Sequence, residues 1–159
     1  MNIQPMCASD VPQVAALEAE TFSRPWDEAA LLAELENPLS RWLVAAEGER
    51  VLGYVGAQTA FEDADILNLC VAPEARGRGI GRALMRALET LLAGQGAERL
   101  TLEVRASNAP AVGLYTALGY AKVGLRRGYY ERPREDALIL QKPVQRPEAG
   151  LPAPDRPTI

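Results

Sequence analysis

Residues 72–85 read APEARGRGIGRALM, and this stretch constrains the fold more than any other. Glycines stand at 77, 79 and 81, and arginines at 76, 78, 82 and 86. Before it, "ADILNLCVAP" reads as a strand ended by Pro73; after it, Ile80, Leu84, Leu88 and Leu91 recur at helical spacing until Gly94 and Gly96. A strand that passes through glycines into a helix belongs to a layered α/β structure, with unpaired N–H groups at the positive end of the helix dipole. Glycine lets the chain bend there and lets an anion approach the backbone with no Cβ in the way. Arg76, Arg78 and Arg82 can add charge-assisted bonds. The loop is an expected anion site; the plainer alternative is a flexible turn with a solvated basic face.

The rest of the chain alternates in the same manner. "NIQPM" reads as a short first strand, and "SDVPQVAALEAETF" as a helix capped by Ser9 or Asp10. "RPWDEAALLAELENP" reads as a second short helix, with Pro25 before it and Asn37-Pro38 closing it. "RWLVAAEGERVLGYVGAQTAF" gives two strands around the turn Glu47–Arg50. Beyond the glycine loop and its helix come the strand "RLTLEVRA" and a helix from Asn108 to Gly119 with Pro110 in its first turn. A final pair, "YAKVGLRRGYY" and "DALILQKPV", completes the order β-α-α-β-β-β-α-β-α-β-β, a mixed sheet with helices on both faces. One domain over residues 1–142 is expected. Residues 143–159 hold five prolines and no apolar periodicity, and are expected to form a disordered tail.

Several function classes fall away on composition. Histidine is absent, so Ser–His and Cys–His nucleophiles and His-ligated metals are excluded. Two isolated cysteines, Cys7 and Cys70, suit neither a disulfide scaffold nor a zinc site, and no metal is expected. Net charge is −4, which disfavours nucleic-acid binding by charge and makes a local basic cluster read as the seat of a specific anion. The start, "MNIQPMCASD", lacks a basic-then-apolar pattern, and no apolar run reaches the roughly 20 residues of a membrane span. A cytoplasmic protein without membrane or direct nucleic-acid partners is expected.

Which anion the loop takes is narrowed by spacing. A Walker loop needs Gly-Lys-Ser/Thr, and a dinucleotide fingerprint needs glycines at other intervals. Arg76, Gly79 and Gly81 instead match Q/R-x-x-G-x-G/A, the pyrophosphate loop of the GNAT acetyltransferases, which bind acetyl-coenzyme A (acetyl-CoA). The element order resembles the GNAT fold, a mixed sheet with a splayed strand pair. Three stretches, "LNLCVAPEARGRGIGRALM", "LEVRASNAPAVGLYTALGY" and "RRGYYERPREDALIL", resemble the bacterial ribosomal-protein alanine N-acetyltransferase (RimI) family within it.

That resemblance implies direct acetyl transfer from acetyl-CoA to an amine, most specifically the N-terminal alanine of a small-subunit ribosomal protein. Other N-termini, a lysine, a small amine, or a non-catalytic coenzyme A-binding module remain alternatives. Alternation puts Thr101, Glu103 and Arg105 on one strand face; on that basis alone Glu103 is a surface carboxylate paired with Arg105 or Arg99, and the resemblance makes it the proton acceptor. Tyr115 shares a helix face with Val112 and Leu118, the ordinary place of a core tyrosine; the resemblance makes it the acid that protonates the departing thiolate. The resemblance also gives Leu69, Cys70 and Val71 backbone contacts to the pantetheine arm. It gives the loop residues Arg76, Gly77, Arg78, Gly79, Ile80, Gly81 and Arg82 to the pyrophosphate, and Asn108 a coenzyme contact beside its capping role. Tyr129 and Tyr130 are placed at the peptide entry, with Trp26 as an opposite wall or simply an apolar staple. Glu131, Glu135 and Asp136 could draw a basic substrate tail or merely be solvated.

Overall fold

The computed structural model describes residues 1–144. Seven strands form one sheet in the order β1-β2-β3-β4-β5-β7-β6. They are β1 (Asn2–Pro5), β2 (Ser40–Glu47), β3 (Arg50–Ala60), β4 (Asp63–Val71), β5 (Arg99–Arg105), β6 (Ala121–Tyr130) and β7 (Glu135–Pro143). Four α-helices join them: α1 (Val11–Thr21), α2 (Glu28–Glu36), α3 (Ile80–Gly94) and α4 (Ala109–Ala117). The order matches the sequence reading. Pro143 closes β7 opposite Arg99, and the Val144 N–H donates to the Glu98 carbonyl at 2.9 Å. The expected tail beyond them, 145–159, lies outside the described residues.

Among the described strands only β4 and β5 run parallel, and α3 is the crossover that a parallel pair requires. The apolar stripe of α3 buries Ile80, Leu84, Met85, Leu88 and Leu92. Each large apolar side chain so buried contributes about 1.5–3 kcal/mol. This core continues through Leu100, Leu102, Val104, Tyr115 and Leu118, so α3 and α4 cover one face of the sheet. On the other face α1 and α2 pack Val11, Val14 and Leu31 against Trp42, Val44, Tyr54 and Cys70. The second helix starts after Pro25 and Trp26, as its sequence pattern suggests. Pro25 and Trp26 lie in the connection, and Asp27 caps α2 by accepting from the Ala30 N–H at 2.8 Å.

The parallel pair is short. Residues 63–66 of β4 pair with 99–102 of β5, and pairing stops there. The cause lies on the other side of β4. Val55 is opposite Leu69 and Ala57 is opposite Ile66, so two residues of β4, Leu67 and Asn68, face Gly56 alone. A bulge of this kind bends and twists its strand. It carries Leu67–Val71 away from Glu103–Arg105, and β4 is then paired on one side only. Gly56 fits the bulge because the Trp42 ring lies over it; a Cβ there would come within 2.5 Å of the indole.

Candidate functional site

Three features converge where β4 and β5 part: a glycine loop, a pair of clefts, and the side chains of Glu103 and Tyr115 on either side of β5. The first is the glycine loop at the end of β4. Gly77 and Gly79 hold φ of +81° and +77°, and nothing lies within 4 Å of where a Cβ would sit on either. The first hydrogen bond of α3 runs from the Ala83 N–H to the Gly79 carbonyl at 3.0 Å. The N–H groups of residues 77–82 therefore donate to no acceptor among the described residues. Six successive free N–H groups at a helix start, with open space above them, fit a phosphate group. The arginines divide. Arg76 Nε donates back to the Val71 carbonyl at 3.2 Å, and Arg78 is ion-paired with Glu47 at 2.8 Å, which lowers the Glu47 pKa. Arg82 is exposed and makes no ion pair among the described residues. Gly81 is half-buried beside Leu114, Val71 and Leu69.

The second feature is a pair of clefts on the α1–α2 side of the gap. One, of about 300 Å³, is lined by Leu67, Asn68, Glu103, Arg126, Tyr129 and Tyr130 among others. The other, of about 470 Å³, is lined by Trp26, Asn68, Arg105, Tyr129, Tyr130 and Glu131 among others. Trp26 and the two tyrosines thus form opposite walls of one space. Trp26 also packs edge-on against Trp42 at 5.6 Å, so the wall and the apolar contact coexist.

Glu103 faces this side. Its partner is Arg126, at 3.6 Å, while Arg105 pairs with Glu135 and Arg99 with Asp63, so the surface pairings open in the sequence are not made. Glu103 Oε2 is enclosed and has no hydrogen-bond partner among the described residues. A carboxylate with unused acceptor capacity is costly to keep and ready to take a donor. Burial, followed by the Glu103 charge, pushes the Tyr130 hydroxyl up to about 12, and the same two causes raise Tyr129.

Tyr115 approaches from the other face. It packs in the α3–α4 core with an edge-to-face contact to Tyr120 at 5.8 Å, and its hydroxyl has no hydrogen-bond partner among the described residues. Burial, with Tyr130 nearby, pushes that hydroxyl up to about 12. Glu103 and Tyr115 therefore lie on opposite sides of β5. In a closed sheet they could not address one reacting group; the gap beside β5 is where both can. Asn108 caps α4, its side-chain oxygen accepting from the Ala111 N–H at 3.2 Å, and its side-chain N–H₂ has no partner among the described residues. Cys70 is buried with its thiol 3.3 Å from the Thr21 hydroxyl, and burial pushes the thiol pKa up, which suits an inert side chain. Among the described residues no group of three or more Cys, Asp and Glu could hold a metal, and no helix is long and apolar enough to cross a membrane.

One buried carboxylate and the half-buried asparagine that it holds escaped the sequence reading. Glu18 is fully buried in α1, and its carboxylate accepts from the Trp26 N–H at 2.9 Å, from Asn68 Nδ2 at 3.0 and 2.9 Å, and from the Tyr54 hydroxyl. It ties the Trp26 wall to the bulge of β4. The available signal was a carboxylate in the stripe Val11, Val14, Glu18, together with an asparagine inside the apolar run "ILNLCV". The acids after Tyr130 are engaged as well: Glu131 with Arg24 at 2.7 Å, Glu135 with Arg105 and the Ser107 N–H, and Asp136 with the Gly128 N–H at 2.8 Å.

A parallel pair opened by a bulge, with a glycine-lined helix start at the end of its first strand, defines an N-acyltransferase fold. The family model described as acetyltransferase (GNAT) family matches residues 11–120. The chain belongs to that family, whose members use acetyl-CoA. It is 39% identical to a Bacillus subtilis (strain 168) protein over 139 residues, 87% of this chain and 92% of that one. It is 31% identical to the ribosomal protein bS18-alanine N-acetyltransferase of Escherichia coli (strain K12), over 90% of this chain and 97% of that one. The crystal structure of the ribosomal-protein-S18-alanine N-acetyltransferase from Escherichia coli superposes with a TM-score of 0.83 at 30% identity, covering 91% of this chain and 94% of that chain.

Proposed function

We propose that this enzyme moves the acetyl group of acetyl-CoA onto the α-amino group of a protein, with the N-terminal alanine of a small-subunit ribosomal protein as its substrate, in the cytoplasm. The observation that carries the reading is the open β4–β5 gap, with six free N–H groups at one end and an under-bonded carboxylate facing an aromatic cleft at the other. The names of the relatives support the choice of amine.

Acetyl-CoA, when bound, supplies a thioester carbonyl and a thiolate leaving group. The N–H groups of Gly77, Arg78, Gly79, Ile80, Gly81 and Arg82 hold the pyrophosphate, with the Arg82 guanidinium free to join them, while Arg76 and Arg78 brace the loop against Val71 and Glu47. The unpaired edge of Leu69, Cys70 and Val71 takes the pantetheine amides as an added strand, and the free Asn108 amide adds a donor. Trp26, Tyr129 and Tyr130 enclose the end of the peptide. An α-amino group has a pKa near 8, so Glu103 need remove its proton only in part of the population, directly or through a water. Tyr115 stays protonated at neutral pH and returns a proton to the thiolate.

The test is acetyl transfer to a peptide panel: an alanine N-terminus from the small ribosomal subunit, other N-termini, and an internal lysine with its N-terminus blocked. Thiol release with the alanine peptide alone is the expected result. Release with several N-termini keeps the chemistry and broadens the substrate. Acetyl-CoA binding with no release from any peptide overturns the reading in favour of a small amine or a non-catalytic module.

A further inference from the structure

Arg105 has no part in the chemistry above, yet in the substrate cleft it makes hydrogen bonds, an ion pair and a ring contact. It stands two residues beyond Glu103 on the same face of β5, with 25% of its side chain exposed. Its guanidinium lies 4.4 Å from the centre of the Tyr130 ring. It donates to the Glu131 carbonyl at 3.1 Å and the Pro133 carbonyl at 2.9 Å, and pairs with Glu135 at 3.4 Å. One side chain therefore grips the end of β6, the turn after it and the start of β7. It also lies 3.5 Å from the Ser23 hydroxyl, which donates to the same Glu131 carbonyl at 3.3 Å, so the α1–α2 connection meets the turn at this point.

The other tie between the two walls is the Arg24–Glu131 pair, and it is well exposed. Exposed pairs are worth little. Guanidinium is suited to the inner position because its five N–H groups form a rigid planar fork that can stack on a ring and serve several carbonyls together; an ammonium cannot do both.

We propose that Arg105 is a positioning residue: it fixes Tyr130 and the 131–134 turn against β5, and so sets the width of the cleft where the amino group meets Glu103. This rests on reading that cleft as the peptide site. The experiment compares the full-length enzyme with Arg105→Lys, Tyr130→Leu and the double variant. It measures peptide KM and kcat, acetyl-CoA Kd by calorimetry, and amide hydrogen exchange by segment.

Arg105→Lys should raise peptide KM about tenfold with kcat within about threefold and acetyl-CoA Kd unchanged, the pattern of lost substrate placement. Exchange should quicken in 129–135 and stay as it was in the glycine loop. Because the arginine acts through the ring, adding it to Tyr130→Leu should raise KM by no more than about twofold further. An unchanged KM, a parallel loss of kcat and acetyl-CoA affinity, or fully additive effects in the double variant would each overturn the proposal. If the unmodified enzyme acetylates no peptide, the function reading fails by itself, and exchange decides this one: quickening confined to 129–135 upholds it, and unaltered exchange overturns it.

Discussion

Glu103 and Tyr115 are an unequal pair in physical terms. Glu103 keeps an enclosed carboxylate oxygen without a donor, next to two tyrosine rings; Tyr115 packs in the core with its hydroxyl unpaired but not fully enclosed. In the proposed reaction the first accepts a proton and the second gives one. Glu103→Gln keeps the shape and removes the base, so turnover should fall about 100-fold while acetyl-CoA affinity stays the same. A pH–rate profile of both forms checks this. The unmodified enzyme should gain rate as the amine loses its proton near pH 8, and Tyr115 ionisation should impose no decline until the pH approaches 12, since burial holds its proton that far. Equal rates for the two forms across that range would remove Glu103 from the chemistry. Both proposed roles come from the resemblance of the stretches around them to a family; alternation alone left Glu103 as a surface carboxylate and Tyr115 as a core ring. Glu18 and Arg105 were not legible. Their partners come from separate segments, and nothing local distinguishes a buried carboxylate with three donor groups from an exposed one.

At the level of elements, every strand and helix of the body was readable from periodicity, glycines and prolines. The α1–α2 connection holds Pro25 and Trp26, where the pattern put them, and Asp27 caps α2. The opening of β4 from β5 was expected only through the resemblance. Its cause, two residues of β4 set against Gly56, is a matter of register between strands, which pattern does not record. The glycine loop is where an element-scale prediction belongs. Gly79 holds φ at +77° with free space around it, so a side chain there meets backbone strain before it meets a neighbour. In the left-handed region a β-branched residue costs about 1–2 kcal/mol or more. Gly79→Val should relieve that strain by turning the loop, scattering the N–H groups of 77–82. Acetyl-CoA affinity measured by calorimetry should fall at least about tenfold, the equivalent of 1.4 kcal/mol. Unchanged affinity would mean that the loop is only a turn.

Across the whole molecule, tyrosines stand on both faces of the sheet and at the gap: Tyr54, Tyr115 and Tyr120 are buried, Tyr130 is half-buried and Tyr129 is exposed. The chain has five tyrosines, and Tyr54, Tyr115, Tyr120, Tyr129 and Tyr130 are all raised, burial being the largest cause for each. Carboxylates reinforce it: Glu18 beside Tyr54, Glu89 beside Tyr120, Glu103 beside Tyr129 and Tyr130. An unfolded tyrosine ionises near pH 10. Between there and about 12, where Tyr115 and Tyr130 ionise in the fold, the folded chain keeps protons that the unfolded chain sheds. Stability is therefore intact below pH 10 and is lost as the pH climbs, the unfolded state binding fewer protons throughout that window. Tyrosinate absorbance and the helical circular dichroism, followed together in an alkaline titration, should move in one step. Little phenolate should form near pH 10 while the helices persist, apart from whatever Tyr129, 50% exposed, contributes. If most of the phenolate amplitude instead appears near pH 10 with the helices intact, then the rings meet water. In that case the cleft beside Glu103 is wetter, and Tyr115 a weaker keeper of its proton, than the packing requires.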